Sequence, residues 1–539
     1  KAATADLEGH GGFQKALEAA KSSLAAADLV TSDRNIQLAS ALAESKIEKA
    51  EVCCLKIDWH LRRSEVPESV AAGLECLRDF GLVIPLRPDQ VDLETATIGV
   101  WERLYGRLVE ELVHLPMMDN PEVEAIVSVL SAMTNSAQLT DERLLGVTLS
   151  HLVVLTLEHG ITKAAVLAFG LFGFFLSNHF GRYHDGLKFC ETARELVEVH
   201  GFWEHEVKAI SYIELVAVWA RPLRSVIELT RSCIAAAEGS RDIPYSCYAR
   251  VRIVAYRLAR GDSLVDVSAE LVDAVGFVEK ANFAAPLMAL HSQRAFVRTM
   301  AEGRGVGDIF DRDGFDASAF EAKFIPEQTP TYICFYWILK AHASFVYGDF
   351  DTAADAVRRI SDLIWACTGH LQLAVYHFVA ALALAAEFKD GTEAERTAIV
   401  GHVDWLARWA DTCPDTFQSK RLLALAELAR IDGESKRAER LYEQAIDAAA
   451  RFGLLADEAL ACEVAGRFYL AFDREQSAKS HLSRARDCYR RWGAAGKVAQ
   501  LESAFPGIFT EGVEQQSRRS HTVGESGLLE TVLDLSQTM

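Results

Sequence analysis

Residues 419–452, SKRLLALAELARIDGESKRAERLYEQAIDAAARF, are followed at residues 458–493 by EALACEVAGRFYLAFDREQSAKSHLSRARDCYRRWG. A shift of 40 residues (478 − 438 = 40) brings residues of similar character into register: Ala438 and Ala478, Tyr442 and Leu482, Ala445 and Ala485. Small residues recur where two helices touch, and larger apolar residues recur where a helix fills the space between neighbours. This pattern predicts helix-turn-helix repeats of the tetratricopeptide kind, which stack into an array with a long concave surface.

The same pattern extends towards the N-terminus. A shift of 85 residues (438 − 353 = 85) brings the stretch at residues 335–360 into register with the first repeat: Trp337, Ala341, Gly348, Ala353 and Val357 fall on Leu422, Ala426, Gly433, Ala438 and Tyr442. Further upstream, helix breakers recur about every 20 residues, at Gly160, Gly181, Gly201 and Pro222. The chain is therefore predicted to be all-α, a tetratricopeptide-like superhelix of helical hairpins (an α-solenoid).

Breakers and composition predict five segments. They are divergent N-terminal helical repeats at 1–84, a middle helical-hairpin array at 85–301, a long surface loop at 302–330, C-terminal tetratricopeptide-like repeats at 331–505, and a linker with the start of a signalling helix at 506–539. Within the first segment, the pattern from Arg34 to Arg63 predicts one long helix. The Gly- and Asp-rich composition of 302–330 is the reason for expecting a loop there.

Composition narrows the classes of function. The chain has 539 residues, is 50% hydrophobic and carries a formal net charge of −20. An acidic surface repels phosphate backbones, so nucleic acid is not an expected partner. The 11 cysteines include no CxxC pair and form no framework typical of secreted proteins. Reduced core thiols in a cytoplasmic protein are the corresponding expectation.

No membrane span is predicted. The most apolar stretch, AAVLAFGLFGFFL at residues 164–176, is 13 residues long, whereas a helical span needs about 20. It is instead expected to be a buried inner helix of the array. The N-terminus lacks the apolar core of an export signal.

Sequence motifs of catalysis are missing. The chain has no GxxxxGK[ST] phosphate loop, no kinase signature that combines HRD with DFG, no HExxH and no GxSxG. No catalytic, cofactor-binding or metal-binding residue is therefore predicted, and no cofactor. The residues that would bind a ligand or a partner cannot be named from the sequence.

Two clusters contain side chains of the kind that bind metal ions. His200, Glu204 and His205 could gather a zinc ion, but only Glu204 lies four residues from His200, so a surface helix start is the preferred interpretation. The loop Asp308–Gly314 resembles a calcium loop. With Gly314 at the sixth position, however, the first ligand position would be Ile309, so a solvated acidic turn is preferred.

Five tryptophans of the C-terminal half could build a binding platform: Trp337, Trp365, Trp405, Trp409 and Trp492. Trp405 and Trp409 are neighbours on a helix, with Arg408 beside them. At helical spacing such residues usually pack between helices. A platform on the concave face is the alternative.

Several stretches, in order, resemble one bacterial family. They include DRDGFDASAFEAKF (311–324), FYWILKAHASFVYGDFDTA (335–353), CPDTFQSKRLLALAELARIDG (413–433) and ARDCYRRWGAAGKVAQLE (485–502). They are similar to the helical region of very large multidomain sensor kinases. In that family a protein-kinase-like domain and an AAA-type ATPase domain of the STAND class come first, and a GAF domain and a histidine kinase follow. The resemblance spans roughly residues 50–508 and is strongest after residue 310.

The resemblance implies a region cut from between the ATPase and GAF modules, since the chain lacks an initial Met and ends in LDLSQTM. None of the family's catalytic motifs lies in it. The expected function is a non-catalytic regulatory or sensor arm that binds a protein partner or small effector on its concave face and relays this to the adjacent ATPase and GAF/kinase domains. A passive scaffold or homodimerisation module is the first alternative, and an unrecognised all-helical enzyme is the second.

Overall fold

The computed structural model describes residues 10–326, 328–388 and 391–509. Over these residues the chain is built from helices, and its only β pairing is two isolated bridges, Met117 with Ile161 and Arg312 with Phe315. The helices form two compact units that divide between Ala217 and Val218, here called unit 1 and unit 2. The predicted middle array, residues 85–301, spans this division. The bounds of all five predicted segments stay predictions.

From residue 10 onwards, where the structure describes the chain, unit 1 contains ten α-helices. They are α1 His10–Ala25, α2 Leu29–Leu42, α3 Lys46–Arg62, α4 Val66–Asp79, α5 Gln90–Leu104, α6 Pro121–Thr140, α7 Glu142–His159, α8 Ala164–Phe180, α9 Tyr183–His200 and α10 Glu206–Ala217. Short 3-10 helices lie at Val109–His114 and Trp203–His205. Neighbouring helices pack as hairpins, for example α8 on α9.

Unit 2 continues the same architecture. Its helices are α11 Leu223–Ser240, α12 Ile243–Arg260, α13 Leu264–Lys280, α14 Ala284–Glu302, α15 Ala317–Glu321, α16 Pro330–Val346, α17 Phe350–Ile360, α18 Gln372–Glu387, α19 Glu393–Thr412, α20 Pro414–Ile431, α21 Ser435–Phe452, α22 Leu455–Ala471, α23 Glu475–Trp492, α24 Ala495–Ala504 and α25 Pro506–Phe509. A 3-10 helix lies at Ile364–Cys367. The all-α, tetratricopeptide-like class is confirmed.

The C-terminal repeat folds as predicted. Its two copies are the hairpins α20–α21 and α22–α23, and the aligned Ala438 and Ala478 are both fully buried. Gly466 lies where α22 and α23 approach closely, since a Cβ there would meet Leu482 Cγ at 2.6 Å. The small residue at this repeat position therefore permits the close contact between helices that the alignment indicated.

The single long helix expected from Arg34 to Arg63 is wrong. α2 ends at Leu42 and α3 begins at Lys46. A capping box starts α3. The backbone N–H of Glu48 donates to Ser45 Oγ at 3.2 Å, and the N–H of Ser45 donates to the Glu48 carboxylate at 3.0 Å. A Ser-x-x-Glu sequence satisfies the unpaired donors at a helix start, so it begins a new helix here.

The apolar stretch at 164–176 lies in α8, and its phenylalanines Phe169 and Phe172 are fully buried. It is thus a buried helix of unit 1, as expected. In the part of the chain that the structure describes, every helix is too short or too polar to cross a bilayer.

The segment between α14 and α16, predicted as a surface loop, contains the short helix α15 and three buried residues, Ile309, Phe310 and Ala317. The ammonium group of Lys340 lies 2.5 Å from Asp308 and 2.6 Å from Glu321, which anchors this segment to α16. The segment thus contributes to the interior of unit 2. Most of the predicted linker and signalling helix at 506–539 lies outside the described residues, which end at residue 509.

Candidate functional site

The inner helices of unit 2 form a closed circuit. α14 packs on α16, α16 on α18, α18 on α20 and α20 on α22. In addition α12 contacts α22, and α24 contacts α14. The last hairpins of the array therefore touch the first ones, and the concave side of unit 2 is enclosed by its own helices.

Two glycines allow this closure. A Cβ on Gly261, at the end of α12, would lie 2.9 Å from the backbone nitrogens of both Leu455 and Ala456, where α22 begins. A Cβ on Gly496 in α24 would lie 1.9 Å from the backbone nitrogen of Gly303, just after α14. Side-chain bulk at either position would force the ends of the array apart.

A buried charge network holds α24 against the rest of unit 2. Lys497 donates hydrogen bonds to Glu463 of α22 at 2.8 Å, to Gln500 at 2.7 Å and to the carbonyl oxygen of Val346 at 2.5 Å. Glu463 also accepts hydrogen bonds from Tyr489 at 2.9 Å and Arg467 at 2.7 Å. The network thus connects α24 with α16, α22 and α23.

Burial and charge oppose each other in this network. Burial alone would raise the pKa of Glu463, but Lys497 and Arg467 outweigh it and hold that pKa below its ordinary value. Burial lowers the pKa of Lys497, and Glu463 only partly offsets this. A buried pair of this kind adds little net stability, but breaking it by removing one partner is strongly destabilising.

A cavity lies within this closed circuit. Its walls come from helices throughout unit 2: Ala255, Leu258 and Ala259 of α12; Gln293 and Phe296 of α14; Phe335, Ile338, Leu339, His342 and Val346 of α16; Leu371, Gln372, Val375 and Phe378 at α18; Lys420 of α20; Ala456, Asp457 and Leu460 of α22; Tyr489 and Trp492 of α23. Most of these side chains are apolar, which is typical of a small-molecule site.

The cavity is small. The centre of a water molecule can move through about 70 Å³ of it, several times the 10–15 Å³ or so that one water requires. Because residues of both α12 and α22 line it, a ligand inside would contact both ends of the array at once. The volume and the wall together suit a small, mainly apolar molecule.

The polar groups of the wall form one charged pair and several neutral groups. The Lys420 ammonium pairs with the Asp457 carboxylate, which also accepts a hydrogen bond from Ser419 at 3.0 Å. His342 lies beside Phe296, with the ring centroids 5.2 Å apart. Burial lowers the pKa of His342 to about 4, and the nearby Asp457 only partly counters this. The histidine is therefore uncharged at neutral pH.

The residues weighed as metal ligands have other partners. His200 hydrogen-bonds the carbonyl oxygen of Val113 at 2.9 Å, and Glu204 pairs with Lys163 at 3.1 Å. Asp308, from the calcium-like loop, pairs with Lys340. Over the described ranges, the structure brings together no group of three or more His, Cys, Asp or Glu side chains suited to a metal ion.

The tryptophans mainly pack between helices. Trp409 is buried and stacks on Trp219 of unit 2 with ring centroids 4.9 Å apart. The ring centroids of Trp405 and His377 are 5.4 Å apart. The guanidinium carbon of Arg408 lies over the Trp405 ring, 4.7 Å from its centroid. Trp365 departs from the expected packing, since 65% of it is exposed. Trp492 lines the cavity.

The sequence does not predict the residues that line the cavity, although the repeat alignment marks one of them, Lys420, as unusual. The shifts of 85 and 40 residues place Phe335, Lys420 and Leu460 at one repeat position (335 + 85 = 420; 420 + 40 = 460), and all three line the cavity. A lysine aligned with two apolar residues indicates an inward-facing charge that needs a partner. The partner, Asp457, follows only from the folded structure.

Comparison with known proteins gives limited similarities. No protein-family model matches the chain. The hybrid signal transduction histidine kinase G of Dictyostelium discoideum is 38% identical over 64 residues, which are 12% of this chain and 2% of that protein. The chain thus matches only a small fraction of this relative's length.

Two solved structures are similar at low identity. One is the apo form of the quorum sensor NprR from B. thuringiensis, with 14% identity, a TM-score of 0.31, and 74% of this chain and 98% of that chain covered. The other is a Rap protein complexed with competence and sporulation factor, with 12% identity, a TM-score of 0.37, and 83% and 99% covered. At these TM-scores neither similarity says what this chain binds.

Proposed function

We propose that this chain is the non-catalytic regulatory module of a signal-transduction ATPase–kinase. An effector binds in the cavity of unit 2, and its occupancy sets how firmly unit 2 is closed. The adjacent ATPase and GAF/kinase domains then respond to the state of the module. The 64-residue similarity to a signal transduction histidine kinase supports this setting.

One observation carries the proposal: the cavity wall is shared by α12, near the start of unit 2, and α22 and α23, near its end. A ligand that contacts both ends binds the closed array better than an opened one. Differential affinity of this kind is what allows a ligand to shift a conformational equilibrium. A ligand bound in the cavity therefore shifts the equilibrium of unit 2 towards the closed array.

The test uses the gene-encoded protein that contains this chain. Ala259 is only half-buried although it lies on an inner helix, since it faces the cavity. Ala259→Leu places extra apolar volume there and imitates occupancy. Ala235→Leu makes the same change at an exposed position of α11 and serves as the control.

We expect Ala259→Leu to change ATP turnover or phosphoryl transfer by at least about threefold, which corresponds to a coupling free energy of about 0.7 kcal/mol or more, while Ala235→Leu leaves both unchanged. Equal rates in the two variants and the wild type would show that the cavity is not coupled to a catalytic output. The same conclusion would follow if the gene-encoded protein contained no nucleotide-binding domain.

A further inference from the structure

The charges on the cavity wall cancel. Among the described residues that line it, Lys420 and Asp457 are the two that pair as cation and anion, and they are 6% and 13% exposed. Ser419 adds a hydrogen bond to the carboxylate, and Lys420 also lies over the Phe378 ring at 5.9 Å from its centroid. Neither charge is available to neutralise a charged ligand without losing its present partner.

Two buried polar atoms of the wall residues have no partner. Gln293 donates from Nε2 to the carbonyl oxygen of Val251 at 3.0 Å, and its acceptor Oε1 is unpaired. The indole N–H of Trp492 is an unpaired donor. Both residues are at least 97% buried. An unpaired buried group of this kind is unfavourable, so a ligand that pairs with it relieves that cost.

From these features we infer that the cavity takes an uncharged, largely apolar ligand that carries a hydrogen-bond donor and a hydrogen-bond acceptor, of the class of aliphatic primary amides and alcohols. The inference rests on the proposed binding role of the cavity and adds the chemistry of its ligand. Both atoms are fully covered in the structure, so pairing requires the two side chains to turn towards the ligand. Gln293 Oε1 then accepts from the ligand's N–H or O–H, and Trp492 Nε1 donates to its oxygen. The apolar side chains surround its hydrocarbon part.

A charged ligand is disfavoured by the same wall. A carboxylate or an ammonium group would be removed from water without a free counter-charge, and burying an uncompensated charge is far more costly than burying an amide. His342, uncharged at neutral pH, offers a carboxylate no positive charge. The hydrocarbon part contributes to the binding of charged and uncharged ligands alike. The experiment therefore keeps the hydrocarbon length constant and varies the head group.

The experiment titrates the whole chain at neutral pH, by calorimetry, with four probes of matched hydrocarbon length: hexanamide, 1-hexanol, hexanoate and hexylamine. We expect the amide and the alcohol to bind at least about tenfold more tightly than both ions, a difference of about 1.4 kcal/mol. Tighter or equal binding of either ion would overturn the inference, and so would failure of both neutral probes to bind.

Two variants locate the site. Ala259→Leu fills the cavity and is expected to weaken hexanamide binding at least about tenfold, whereas the exposed Ala235→Leu leaves it unchanged. Gln293→Leu removes the acceptor and is expected to weaken hexanamide about three- to tenfold, the range of one hydrogen bond. Undiminished hexanamide binding in Ala259→Leu would place the probe elsewhere and contradict the inference.

The two proposals fail in different ways. If the ions bind more tightly than the neutral probes but Ala259→Leu still changes ATP turnover, the ligand class is wrong and the regulatory role stands. If the neutral probes bind as expected but turnover is unaffected by Ala259→Leu, the ligand class stands and the regulatory role is wrong.

Discussion

The ammonium group of Lys497 on α24 lies 2.8 Å from the carboxylate of Glu463 on α22, and the two side chains are 0% and 2% exposed. This pair is the centre of the contact that closes unit 2. Because α24 also contacts α14, the pair joins the end of the array to its earlier hairpins.

Removing the Lys497 charge should weaken this closure. Lys497→Met leaves Glu463 buried with only Arg467 and Tyr489 as partners, and we expect the free energy of unfolding of unit 2 to fall by about 3 kcal/mol. Adding Glu463→Gln should recover part of that loss, since no unpaired carboxylate then remains. Urea unfolding of the single and double variants measures both effects.

The matched control is the exposed pair of Arg474 and Glu439, 2.9 Å apart and 53% and 36% exposed. Arg474→Met should cost less than about 1 kcal/mol, the usual limit for surface pairs. If Lys497→Met were no more destabilising than Arg474→Met, the buried pair would not hold α24 in place.

Gly261 should be intolerant of a side chain because two helix ends meet there. Its φ is +79°, and a Cβ would press on the backbone of α22. Gly453 has a similar φ of +70° but open space around it. The loss of stability in Gly453→Ala therefore measures the cost of the left-handed conformation alone, about 1–2 kcal/mol. Gly261→Ala should cost about 1–3 kcal/mol more because of overpacking.

Thermal and urea unfolding of these two alanine variants would give the difference. Equal losses of stability would mean that the approach of α12 to α22 is not a tight contact in solution. In that case the cavity would not be enclosed by both ends of the array.

Acid should destabilise unit 2 through His342. Its pKa falls from 6.5 in the unfolded chain to about 4 in the folded one, so between these values the unfolded state binds more protons. The stabilisation by this group is therefore present above about pH 6.5 and is lost as the pH falls towards 4. Linkage gives a loss of about 2 kcal/mol between pH 7 and pH 5.

The measurement is urea unfolding at both pH values for the wild type and His342→Leu. The variant should show a smaller loss of stability on acidification, and the remaining loss belongs to other groups such as His370 and His377, whose pKa values burial also lowers. An unchanged pH dependence in His342→Leu would mean that this ring is hydrated and protonates freely. His184→Gln, at an exposed position of α9, controls for loss of a histidine.

The sequence predicted the local structure better than the site. Glycines at 160, 181 and 201 do end helices α7, α8 and α9, because a residue with positive φ stops a helix wherever it lies. The start of α6 is local too: the Asn120 side chain accepts hydrogen bonds from the backbone N–H groups of Glu122 and Val123, and Pro121 takes the first helical position. The Ser-x-x-Glu pattern at Ser45 predicts a helix start, but the long helical pattern from Arg34 to Arg63 favoured a single helix instead.

The closure of unit 2 depends on contacts that no local pattern encodes. Gly261 and Ala456 are nearly 200 positions apart in the chain, and the accumulated rotation of every intervening hairpin decides whether they meet. Lys497 looks like a surface residue in the sequence, yet it is fully buried. Because the cavity is lined by residues of both α12 and α22, it could not be predicted before the fold.

Hydrogen exchange of α24 tests most directly whether the content of the cavity controls the closure of unit 2. Local opening of a helix end sets its exchange rate, so a firmer closure slows it. We predict that Ala259→Leu slows exchange of the amides of Ala495–Ala504 by about tenfold, equivalent to about 1.4 kcal/mol, while Ala235→Leu leaves them at the wild-type rate. Unchanged or faster exchange in Ala259→Leu would contradict coupling between the cavity and the end of the array.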